Sequence, residues 1–240
     1  MTTPIRFKKA LTRLALLAVG AAVLVAFPAP VFSSTLTRGN LTLHTTEPLP
    51  KSAIAIVDAA LALLRQSPLY EPTRSVDVFV CRNDWRWLLY RGGNGRSAAV
   101  ARGPFLHDVI VRGGDFAANR YQQAGGQLSP AERPMSYLLA HEVTHLLVAD
   151  ALSLREKHRV PAWLNEGYAD YVAHEGKFDR AAALRALSGA SSPTRREGQY
   201  LPYMLLVAAG LQQTPRVIEL LRAPPDRARL QNELLPASSH

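Results

Sequence analysis

The sequence predicts an α+β domain, and three observations carry that prediction. Short alternating apolar runs, the mark of half-buried strands, lie in the first half of the chain at residues 75–81, 98–101 and 108–112. Helical spacing of apolar residues takes over from residue 135 and continues to about residue 222. Hydrophobic residues make up 48% of 240, enough for an ordinary core without disulfide staples.

The first 34 residues read as a signal peptide or an N-terminal membrane anchor. Arg6, Lys8, Lys9 and Arg13 precede a run, 14–27, that is apolar apart from Gly20, and Pro28 and Pro30 follow. Val31, Phe32 and Ser33 offer a cleavage site. If uncut, residues 14–32 are an apolar stretch for membrane attachment, with the basic end cytoplasmic. Either outcome exports the rest of the chain, so the expected location is extracytoplasmic (periplasmic or secreted).

Residues 35–50, rich in Thr and Pro, are expected to be a linker or a short edge strand through Leu41 and Leu43. Ser52 opens a helix on which Ile54, Val57, Leu61 and Leu64 share one face. After the strand at 75–81, Asp84 starts a short helix with two tryptophans, ended by a glycine cluster at 92–95. Ser129-Pro130-Ala131-Glu132 fits a capping box, although Pro134 moves the secure part of the next helix to 135–152. Pro161 begins another, to about His174. Further helices are expected at 178–188, 200–211 and 214–222, and 223–240 is expected to be a loose tail. The folded domain is therefore assigned to 51–222.

The net charge is +9, but four of the basic residues sit in the leader and the rest carry no nucleic-acid-binding pattern, so no nucleic-acid partner is expected. Cys81, the single cysteine, ends an apolar strand and reads as a buried thiol. Trp85, Trp87 and Trp163 read as core. His44, His107, His158, His174 and His240 lack ligand spacing and read as structural or exposed.

The chemistry concentrates in His141-Glu142-Val143-Thr144-His145, inside the helix at 135–152. Four residues is about one turn, so both imidazoles leave one face and can share a metal ion. Glu142 lies about a hundred degrees around the helix, where it suits a general base rather than a third ligand. Twenty residues separate His145 from Glu166, on the next helix. A short connection between antiparallel helices would bring its carboxylate opposite the imidazoles, giving two His, one carboxylate and an open position. Asp170, one turn on, could accept a hydrogen bond from a ligand histidine.

HExxH followed by Trp163-Leu164-Asn165-Glu166-Gly167-Tyr168-Ala169 resembles the gluzincin branch of zinc metallopeptidases, closely over 129–174 and in outline over 50–222. That resemblance implies a zincin-like fold, with a small mixed sheet packed on the active-site helix and a mostly helical C-terminal part. It implies Zn2+ held by His141, His145 and Glu166, and Glu142 as general base on a peptide or protein substrate. Asp170 is carried over as the acid that orients a ligand histidine. An oxyanion-stabilising tyrosine is carried over to Tyr200, with Tyr203 the alternative, and a substrate-pairing strand to residues 108–112. No GxMEN-like segment precedes the motif, which speaks against aminopeptidase activity. Two other classes remain open: a non-catalytic zinc-containing module of the cell envelope, and a zinc amidase acting on peptidoglycan.

Overall fold

The computed structural model describes residues 3–93, 95–192 and 198–235, with side chains from Thr12 onward. Its architecture is mixed α+β. Helix α1 (Thr3–Ala26) runs into a single 3-10 turn at Ala29–Val31, and then the sheet begins. Among the described residues no helix is long and apolar enough to cross a membrane.

Five strands form the main sheet: β1 (Ser34–Arg38), β2 (Leu41–Thr45), β3 (Val76–Val80), β4 (Ala99–Ala101) and β5 (Asp108–Val111), in the order β1-β2-β3-β5-β4. Residues 35–50 are thus not a linker. β1 and β2 make an antiparallel hairpin around Gly39, whose φ of 55° suits the tight turn. Leu41 and Leu43 alternate into the core, and this makes β2 an interior strand. Helix α2 (Ser52–Leu64) carries the chain across to β3, which pairs in parallel with both β2 and β5. Such crossovers need a helix-length connection. The buried face of α2 is set by Ala53, Ile56, Val57, Ala60, Leu61 and Leu64, so Ile54 falls outside it, 40% exposed.

The sheet is covered on both faces. Val76, Val78, Val80, Val109 and Val111 pack against α2 and helix α4 (Met135–Ala151). Phe79, Cys81 and Ile110 point the other way. They are covered by Phe32 and by Trp87 and Tyr90 of the short helix α3 (Trp85–Tyr90). Trp85 is not core: it is 50% exposed, because α3 buries only the face carrying Trp87 and Tyr90. Phe32 is buried too, so the last residue of the apolar stretch 14–32 belongs to the domain core.

A small hairpin, β6 (Gly114–Asp115) and β7 (Arg120–Tyr121), leads into α4. Ser129 does not cap that helix. Its hydroxyl accepts from the Tyr121 backbone, and Pro134 takes the cap position. Beyond α4 come α5 (Leu154–Lys157), α6 (Ala162–Ala173), α7 (Arg180–Leu187), α8 (Leu201–Gln213), α9 (Val217–Arg222) and α10 (Arg227–Leu234). Helices α6 to α10 gather around a second cluster that includes Trp163, Leu164, Tyr168, Leu205 and Leu220. The expected loose tail is instead helical over α10: Asp226 caps it and Leu230 is 1% exposed in that cluster. The rest of that expectation, 236–240, lies outside the described residues.

Candidate metal centre

Helix α4 is buried on nearly every side, with fourteen of its residues in the interior. The sheet and α2 lie along it, and α6 crosses beside it. A helix so enclosed holds its side chains in fixed rotamers, which a metal site requires. His141 and His145 project from one face, their Nε2 atoms 3.2 Å apart. Glu166 on α6 places Oε2 3.5 Å from His141 Nε2 and 3.6 Å from His145 Nε2. Side-chain exposure rises from 7% at His141 through 15% at His145 to 26% at Glu166, so the trio is closed behind and open in front. These three residues form a group that could hold a metal ion, their ligand atoms all within 4.8 Å of one another.

Asp170 follows Glu166 by one turn and is wholly buried. His141 Nδ1 donates to its Oδ1 at 2.7 Å, which leaves Nε2 facing Glu166 and His145. Burial opposes the charged form of Asp170, but hydrogen bonding from His141 overcomes it and holds the carboxyl below its usual range. Two residues that the sequence reading missed complete this support. Tyr137 donates its hydroxyl to the same Oδ1, and Arg133 donates to the Tyr137 hydroxyl while lying 4.6 Å over its ring. Tyr137 sits one turn before His141, an i to i+4 spacing that was visible but carries no motif.

Burial also opposes a charged His141, yet its hydrogen bonds to Asp170 and Glu166 win and raise its pKa to about 10 in the metal-free protein. Glu166 shows the converse. Its contacts with both histidines outweigh burial and hold it well below the carboxylate range.

Glu142 is buried beside the trio, and burial pushes its carboxyl up despite the two histidines. The Ala101 backbone works against that shift and favours the charged form. Ala99, Val100 and Ala101 line the same cleft as Glu142, so β4 is the strand that borders the site. Residues 108–112, expected to pair with an extended chain, include β5, which is interior between β3 and β4. The edge on this side of the sheet is β4. The Arg102 amide donates to Asp108 and the Arg112 amide to Ala98, both at 2.8 Å, so alternate residues 98, 100 and 102 face β5. The main-chain groups of Ala99 and Ala101 face outward, toward the cleft.

That cleft has a volume of about 720 Å3. Ala99, Ala101 and Gly103 form one wall; His141, Glu142, His145 and Glu166 form its floor; Gln199 and Tyr200 close the far side. Tyr200 precedes α8 and stacks on His141, ring centroids 6.0 Å apart and planes within 10°. Burial, with the Glu166 carboxylate adding to it, pushes its phenol well above the usual value, so it remains a proton donor. Tyr203 stacks behind Tyr200, away from the trio, at 5.9 Å. Gly167 explains how α8 comes so near: a Cβ there would lie 2.7 Å from the Tyr203 carbonyl oxygen.

Of the histidines read as structural, His107 bonds Asp150 at 2.6 Å and His174 packs on Tyr137 at 4.8 Å. Neither joins the trio. Comparison with family models, curated proteins and solved structures finds no match for this chain.

Proposed function

We infer that the chain is a zinc-dependent hydrolase, in outline a zincin-like peptidase, that works outside the cytoplasm. The observation that carries this reading is the donor set. Zinc bonded to nitrogen and oxygen at about 2.0–2.1 Å in a tetrahedron has ligand atoms about 3.3 Å apart. The separations here, 3.2, 3.5 and 3.6 Å, lie close to that edge. Two imidazoles and one carboxylate with an open front also match the donor chemistry of catalytic rather than structural zinc.

When bound, zinc supplies a Lewis acid that polarises a carbonyl and lowers the pKa of water. The chain's own residues supply the rest. Glu142, its proton affinity raised by burial, takes a proton from the attacking water and returns it to the leaving amine. Tyr200 donates a hydrogen bond to the carbonyl oxygen as negative charge grows on it. Asp170, fixed by Tyr137, keeps His141 in the tautomer that presents Nε2. The outward main-chain groups of Ala99 and Ala101 align an extended peptide along β4.

Glu142→Gln tests this reading. The variant is expected to bind one zinc with unchanged affinity and to lose hydrolysis of casein or a peptide library. Near-wild-type turnover would sink the mechanism. Full zinc occupancy in the wild type with no turnover on either protein or purified cell wall would favour a non-catalytic module. Turnover on cell wall alone would identify an amidase.

A further inference from the structure

Helix α1 does not hang free of the domain. Its last carbonyls are capped by the body: the Tyr90 hydroxyl donates to Leu24 O at 3.3 Å and Arg102 Nη1 to Val25 O at 2.8 Å. A helix end leaves such carbonyls without internal partners, so these bonds fix where the helix leaves the fold. The segment that follows is structural. Pro28 is buried, and Arg86 Nε donates to Val31 O at 3.1 Å. Phe32, 7% exposed, packs on Phe79 at 5.1 Å. The Ser33 amide and hydroxyl bond Thr45 O and Thr46 O, each at 2.9 Å. Cleavage after Ser33 would remove Phe32 and Val31 from the layer that covers one face of the sheet.

The helix and the two segments that cap it all carry exposed apolar side chains. On α1 itself Leu14, Leu16, Leu17, Val19 and Val23 are all more than half exposed. On α3, Leu88 is 64% and Trp85 50% exposed, on the same short helix as Tyr90. Three residues past Arg102, Phe105 is 83% exposed, the most of any large apolar side chain described. Of the five arginines in residues 82–107, Arg82, Arg86 and Arg102 pair with Glu47, Asp84 and Asp108, and Arg91 and Arg96 make no ion pair among the described residues. Apolar side chains with a tryptophan among them, accompanied by Arg91 and Arg96 and joined to an apolar helix, match the chemistry of an anionic lipid interface.

We propose that α1 is retained and that it, α3 and the Phe105 loop form one surface resting on a bilayer that contains anionic lipid. The β4 wall of the cleft continues directly into Arg102, Gly103 and Phe105, so the cleft opens beside the membrane surface. Extended segments at the lipid boundary are then the chains best placed to enter it. The inference deepens the membrane-attachment reading and stands apart from the metal centre, which its failure would leave intact.

Two measurements on the full chain test it. The first uses nitroxide labels at Leu88→Cys and Phe105→Cys, with Ile54→Cys on the opposite face of the sheet as control. Cys81 stays unlabelled, since burial pushes its thiol up to about 12. In vesicles of phosphatidylcholine and phosphatidylglycerol, three to one, labels at 88 and 105 should gain collisions with membrane-dissolved oxygen. They should lose collisions with an aqueous nickel chelate, while the label at 54 does not change. Water-like behaviour at all three sites overturns the proposal, and so does spin–spin broadening at 88 or 105, which would mean that a second copy covers the patch. The second is the intact mass of the protein from the envelope of the producing cell. A chain that still contains Leu24 is expected; a mature N-terminus at Ser34 overturns retention.

Discussion

His141 donates from Nδ1 to the wholly buried carboxylate of Asp170 at 2.7 Å, and this bond ties together α4 and α6, the two helices that carry the candidate metal ligands. Asp170→Asn should keep the fold but offer a weaker and wrongly polarised partner. Zinc affinity is expected to fall roughly 10- to 100-fold. Chelator competition measures it, and an unchanged dissociation constant would remove Asp170 from the site. Tyr137→Phe should move affinity in the same direction by less.

Zinc binding should be strongly pH-dependent. Metal-free His141 holds its proton up to about pH 10, and a ligand imidazole must be neutral. Binding at pH 7–8 should therefore release about one proton, and affinity should rise roughly tenfold per pH unit until about pH 10. Calorimetry in buffers of different ionisation enthalpy reads the proton directly. The same shift gives the sign for stability. A raised histidine pKa stabilises the metal-free fold fully below its unfolded value of 6.5, and that contribution is lost as pH rises through about 10. Thermal melts of the metal-free protein should fall over that window, and zinc should flatten the fall.

Ala101→Pro removes the backbone amide that favours the charged form of Glu142. Its loss should raise the Glu142 pKa further and move the acid limb of the kcat/KM profile to higher pH. Zinc content should not change. An acid limb that stays put would separate β4 from the proton-transfer chemistry.

Gly167→Ala places a methyl group against main chain rather than against a movable side chain. Helix α8 must back away, at a cost of about 1–3 kcal/mol in urea unfolding. Because Tyr200 precedes that helix, turnover should fall as well, while zinc binding persists.

Leu230→Ala tests whether α10 belongs to the domain. Its side chain is 1% exposed among the C-terminal helices, and truncation should cost about 2–5 kcal/mol. A loss below half a kcal/mol would return this segment to the status of a tail.

What the sequence determined by itself was local. HExxH on a continuous apolar helix dictates that His141 and His145 share a face, since helical geometry puts residues four apart above one another. Pro161 and Gly176 bracketed the helix that carries Glu166 and Asp170 for similar reasons. Alternation at Val76, Val78 and Val80 marked a strand whatever its neighbours were. The sequence did not determine partners distant in the chain. That β4 rather than β5 is the edge on this side of the sheet depends on strand order, which no local pattern encodes. Residues 35–50 read as a linker or a short edge strand through Leu41 and Leu43, because their Thr-rich surroundings do not reveal the interior strand that pairing with β1 and β3 stabilises. Arg133 and Tyr137 gained their role from Asp170, 33 residues beyond Tyr137, and Phe32 became core only once Phe79 and Tyr90 lay beside it. Short-range geometry is fixed by covalent structure and hydrogen bonding within a turn. Which surfaces meet is decided by burial summed over the whole chain, and only the tertiary structure records it.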